Sequence, residues 1–161
     1  MYEEKFSPWV KWEKRNELPG IKFPGIYVCA VSKENIENDK FAWISEIAYI
    51  GMTNSKLGLK GRLKQFDNTI VGKTGHGGAD RFRYKYQDYT KLINSLYVSV
   101  SCFECNVSSE RPLDLRVMGD VAKFEYDCFA CFKDKYGQLP EFNEKKLSPK
   151  YSLTIGRGKR S

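Results

Sequence analysis

One carboxylate stands where an apolar residue is expected. At helical spacing, Val121, Ala122, Cys128, Phe129 and Phe132 all fall on the face of Glu125. An ionised carboxylate in such a stripe is costly unless a cation or several donors meet it. Two partners suit the residue types in this chain. An arginine such as Arg62 or Arg116 would give a structural ion pair. Alternatively, Mg²⁺ commonly takes only one or two protein carboxylates and completes its shell with waters and phosphate oxygens. A pair of phenols is the second feature. Tyr27 lies in Pro24–Val31 and Tyr49 in Ile47–Gly51, two segments rich in β-branched and aromatic residues and bounded by turn-formers. Both read as strands, and the strand period of two lets one Tyr from each reach a shared surface. The same segments also read as an ordinary hairpin with half-buried tyrosines.

The elements that must position these groups follow from pattern. Residues 1–24 read as an N-terminal arm, with a short helix around Pro8–Arg15 and tryptophans, Trp9 and Trp12, that pack on the body or a partner. Ser32–Ile44 is a polar connection too long for a tight hairpin turn. After Gly51, Thr53, Asn54 and Ser55 offer cap oxygens, and Leu59, Leu63 and Phe66 fall at helical spacing with Arg62 beside the stripe. The loop Gly72–Gly78 contains Gly-Lys-Thr, but a phosphate-binding P-loop needs Gly where Asp67 stands and a preceding buried strand. That assignment is excluded. Arg81–Tyr86 alternates cation and aromatic, predicting a strand with Arg81, Arg83 and Lys85 on one face. That face is either solvated or a basic ridge along a phosphate backbone. Leu96–Cys102 reads as the third strand. A helix is expected from Pro112 through Tyr136, stopped by Gly137. Residues 144–161 form a basic tail. The expected fold class is α+β, a small three-stranded antiparallel sheet flanked by helices in one domain.

Charge and cysteine usage narrow the partners. Across 161 residues Lys and Arg outnumber Asp and Glu by 27 to 20, a formal +7, which favours a polyanion partner. No apolar run approaches a membrane span, and no basic-then-apolar leader opens the sequence. These features lead to an expectation of a cytoplasmic protein with reduced cysteines and no membrane partner. Cys102 and Cys105, with Cys128 and Cys131, form two C-x2-C pairs at a spacing close to that of zinc sites. One pair ends a strand and the other lies inside a helix, and Phe103 and Phe129 look like core. Structural zinc is therefore disfavoured. The lone histidine, His76, sits in the glycine-rich loop and reads as a surface residue.

Gly25-Ile26-Tyr27, Tyr49-Ile50-Gly51, Arg62 with Gln65 close behind, Glu125, and Pro140-Glu141-Phe142-Asn143 together resemble the GIY-YIG nuclease superfamily. The ordered match spans residues 25–143. The resemblance implies a divalent-metal-dependent endonuclease acting on DNA. Its metal would be Mg²⁺ or Mn²⁺ on Glu125. Arg62 would grip phosphoryl oxygens, and Tyr49 would orient or deprotonate the water with Tyr27 as its neighbour. Asn143 would hydrogen-bond backbone or phosphate near the site. Which tyrosine is the base stays open. Cutting both strands would favour a homodimer, in the manner of restriction-type relatives. Lys56, Lys60, His76, Arg81, Arg83 and Lys85 are the expected nucleic-acid contacts. The chain also departs from the family. The connection between the tripeptides is long, and Met52 stands where some members carry a basic residue. Phe66 occupies the position of a family His or Tyr, leaving another group, such as His76, to supply that role. Those departures motivate two alternatives, a nucleic-acid-binding module on the same scaffold with weak or no catalysis and a zinc-stabilised interaction domain.

Overall fold

The computed structural model describes residues 2–151 except 74 and 147, so most of the expected basic tail lies outside the described residues. Four strands, β1 (Val10–Lys11), β2 (Gly25–Val31), β3 (Ile47–Thr53) and β4 (Leu96–Cys102), form one antiparallel sheet in the order β1-β4-β2-β3. The expected three strands are thus corrected to four. The extra strand is only two residues long, too short to show a period, and it pairs Val10 with Val98 and Lys11 with Tyr97. The helix expected around Pro8–Arg15 is likewise corrected: β1 is followed by a 3-10 turn over Trp12–Glu17.

Among the described residues four α-helices accompany the sheet: α1 (Gly58–Val71), α2 (Gly77–Lys85), α3 (Tyr89–Ile93) and α4 (Pro112–Tyr136). The last has the bounds that its sequence pattern predicts, with Gly137 left-handed at φ 76° and its N–H bonded to the Lys133 carbonyl. The α1 start differs from expectation. No side chain caps it; instead the Phe23 and Ile21 carbonyls accept from the Leu59 and Lys60 amides. A Cβ on Gly58 would lie 2.2 Å from the Lys22 carbonyl oxygen, so glycine lets the approaching chain come this close.

Two apolar layers sandwich the sheet. On one face Tyr27, Cys29, Val98 and Val100 meet Leu59, Leu63, Phe66 and Ile70 of α1, Phe82 of α2 and Trp12. On the other, Ile26, Val28 and Ile50 meet Val121, Phe124, Cys128 and Phe132 of α4 together with Phe6, Trp9, Phe41 and Trp43. Trp9 and Trp12 therefore serve opposite layers of the body, both almost wholly buried. Burial of side chains this large stabilises the fold by roughly 2–3 kcal/mol each. Asp67 of α1 anchors the N-terminal segment from its two oxygens. It accepts from Trp12 Nε1 at 2.8 Å and from the Tyr89 hydroxyl at 3.0 Å, and it pairs with Arg15 at 3.3 Å.

A register irregularity in the β2–β3 ladder sets the site. Cys29 pairs with Tyr49 but Ala30 pairs with Ile47, so Ala48 is the extra residue of a bulge. The bulge lets Ile47 and Ile50 face the α4 layer while Tyr49 joins Tyr27 on the α1 face.

Candidate functional site

The two phenols do share a surface. Tyr27 pairs across the ladder with Gly51, and Tyr49 with Cys29, so the rings are diagonal neighbours with centroids 5.9 Å apart. Their difference in access is decisive. Tyr27 has no exposed surface, whereas Tyr49 is half-buried. Glycines make room for both: a Cβ on Gly51 would lie 2.4 Å from the Tyr27 hydroxyl, and one on Gly78 would lie 2.4 Å from Cζ of Tyr49. Gly51 is thus needed for close approach, and Gly78 brings the start of α2 down onto the second ring.

His76 corrects two expectations at once. It is almost wholly buried, so it is neither a surface residue nor able to touch a nucleic acid. Its Nε2 lies 2.5 Å from the Tyr27 hydroxyl, and its Nδ1 accepts from the Ala79 amide at 3.1 Å, capping α2. The imidazole packs edge-on against Phe66 with centroids 5.0 Å apart. Burial, and then the Arg62 charge, lower the His76 pKa to about 3, so the ring is neutral at physiological pH.

Arg62 and Glu125 supply the charges. Arg62 donates to Gln65 Oε1 at 2.9 Å, while among the described residues its buried Nε has no partner. Its charge acts on Tyr27, Tyr49, His76 and Glu125 alike, which brings residues of β2, β3, α1, α4 and the loop into one electrostatic cluster. Burial raises both phenols, Tyr27 well above its ordinary value, and Arg62 opposes the rise in each. Glu125 comes from α4, which packs on β3 at the sheet edge and is tied to that strand's end by Asn54 Nδ2 donating to the Met118 carbonyl at 3.0 Å. Burial raises Glu125 to about 7, and Arg62 only partly offsets this. Among the described residues no hydrogen bond or close ion pair satisfies its carboxylate, so the structural ion pair is not formed.

A metal ion is tested by its donors. Among the described residues no group of three or more His, Cys, Asp or Glu could hold one, and the two cysteine pairs do not assemble. A single desolvated carboxylate without a partner still fits a hard cation that brings its own waters and a substrate oxygen. Glu125 has that character.

Asn143 is set by backbone rather than by the charged cluster. Its Oδ1 accepts from Ile50 N at 2.9 Å and its Nδ2 donates to Ile50 O at 2.8 Å. Because β3 is an edge strand, this bidentate contact satisfies the outward-facing backbone between Tyr49 and Gly51.

The basic ridge is corrected. Arg81–Lys85 is helical, because Ala79, Phe82 and Tyr86 form an apolar stripe that docks on the α1 layer. Its cations are engaged within the chain. Arg81 donates to the Ser148 and Gly77 carbonyls, Arg83 to the Gly72 carbonyl, and Lys85 to Glu141 at 2.8 Å. Arg83 also lies 3.7 Å from the Tyr151 ring centroid. Lys56 and Lys60 are exposed near the α1 start. No described helix is long and apolar enough to cross a membrane.

Comparison of the chain with protein-family models, curated proteins and solved structures returns no match.

Proposed function

We propose that this chain is a Mg²⁺- or Mn²⁺-dependent endonuclease that hydrolyses DNA phosphodiester bonds in the manner of the GIY-YIG superfamily. One observation carries the reading. A half-buried, unpaired Glu125 shares one electrostatic cluster with Arg62 and the two phenols, although the four side chains come from four separate elements. Perturbed groups gathered in this way fit a functional site better than a structural one, which would have paired Glu125. When bound on Glu125, the metal supplies Lewis-acid polarisation of the phosphoryl oxygen and stabilises the leaving oxygen. Arg62 grips non-bridging oxygens with its fork of donors. Tyr49, the accessible phenol, orients the attacking water. Asn143 keeps the strand segment between Tyr49 and Gly51 in register. Lys56 and Lys60 lie along the DNA backbone, and a homodimer would bring two such sites to the two strands.

The second reading is a nucleic-acid-binding module without cleavage, favoured by Phe66 in the α1 layer and by phenols raised above their ordinary range. Supercoiled plasmid incubated with Mg²⁺ separates the two. The nuclease reading expects nicked or linear DNA with the parent and none with Glu125→Ala. Salt-sensitive retention of uncut plasmid by both proteins would favour the module.

A further inference from the structure

Resting on that nuclease reading, the geometry points to a one-way chain of hydrogen-bond donors, from Ala79 to His76 to Tyr27, which fixes the phenol packed beside Tyr49. In this chain His76 is a positioning residue, and Tyr49 alone of the two phenols meets the substrate.

The direction is fixed at its root. The Ala79 amide can only donate, so His76 Nδ1, 3.1 Å away, must accept. A neutral imidazole that accepts at Nδ1 carries its proton on Nε2. The 2.5 Å contact therefore runs from His76 Nε2–H to the Tyr27 oxygen. A phenol oxygen that accepts from the imidazole keeps its own proton to give. Tyr49 is the phenol packed beside it, with the rings 5.9 Å apart.

Access then assigns the roles. Tyr27 is fully buried, Gly51 lies under its hydroxyl, and its oxygen accepts from His76. It cannot touch a phosphate or its water. Tyr49, packed beside Tyr27, is half-buried and keeps its hydroxyl for the half-open side of the site. Phe66, unable to donate or accept, serves by packing against the imidazole and keeping it turned toward Tyr27. The burial that keeps His76 neutral supports the same direction, since an imidazolium would lose the acceptor at Nδ1.

The chain holds a single histidine, so the imidazole ¹⁵N spectrum of protein without a histidine tag reads this ring alone. The expected spectrum has Nε2 protonated and Nδ1 bare, unchanged from pH 8 to pH 5. A proton on Nδ1, or an imidazolium at pH 6, would overturn the chain. Two substitutions separate positioning from capping. His76→Asn keeps an acceptor for Ala79 but removes the donor to Tyr27; His76→Gln does the reverse. Plasmid cleavage should fall about 100-fold in the Asn variant, while the Gln variant keeps most of the parent rate. The opposite order would mean that His76 only caps α2, and would refute the proposal. Should the parent leave plasmid uncut, the nuclease reading falls, while the ring spectrum still decides the donor chain.

Discussion

Replacing Glu125 by Gln should make the protein more stable, and only above a defined pH. In the unfolded chain the carboxyl ionises near its ordinary 4.5, whereas burial raises it to about 7 in the folded protein. Between those values the folded state retains a proton that the unfolded state has released. Stability contributed by this group therefore falls as pH rises through the window, and is level below it and above it. The gap would be worth about 3 kcal/mol for a fully enclosed group, and solvent screening of a half-buried one reduces this to about 2 kcal/mol. Gln has nearly the same shape and no charge, so it removes the pH-dependent cost. Urea unfolding followed by tryptophan fluorescence should give coincident curves for parent and variant at pH 4.5. At pH 8 the variant should be more stable by about 2 kcal/mol. Millimolar Mg²⁺ should close the gap at pH 8 by stabilising the parent alone. Parallel pH dependences for the two proteins, or equal Mg²⁺ effects, would refute the argument that Glu125 is an unpaired, desolvated carboxylate poised for a cation.

Other perturbations test the scaffold around it. Gly51→Ala drives a methyl into the Tyr27 hydroxyl, and the displacement should lower unfolding free energy by about 1–3 kcal/mol and abolish cleavage. Asn143→Ala leaves both outward polar groups of Ile50 without their partner. The expected cost is about 1–3 kcal/mol, with faster hydrogen exchange at the Ile50 amide than at Val28. Lys56→Ala with Lys60→Ala should flatten the salt dependence of DNA affinity by about two in log–log slope. Arg81→Ala should leave that slope unchanged, because Arg81 is spent on two carbonyls.

Strands β2, β3 and β4 and both ends of α4 were legible because each carries a strong local signal: β-branched runs between turn-formers, or Pro and Gly at the helix limits. The phenol pair and the misplaced carboxylate were legible for the same reason. What escaped depended on contacts distant in sequence. Strand β1 is too short for any period and exists because Val98 and Tyr97 offer it an edge. In α2 the alternation of cation and aromatic masked the true apolar spacing of Ala79, Phe82 and Tyr86. Its cap is the His76 ring, a residue that looks exposed in a glycine-rich loop and is buried only because Tyr27 and Phe66 wait beneath it. The α1 cap comes from carbonyls of residues 21 and 23, more than thirty positions upstream, which no local pattern announces.

The central claim is hydrolysis at phosphorus by the cluster around Glu125, and isotope transfer from solvent tests it most directly. DNA incubated with the parent protein and Mg²⁺ in ¹⁸O-water should acquire one solvent oxygen on each new terminal phosphate, and Glu125→Ala should give none. Tight binding of DNA by the parent with no solvent oxygen in any phosphate would contradict it.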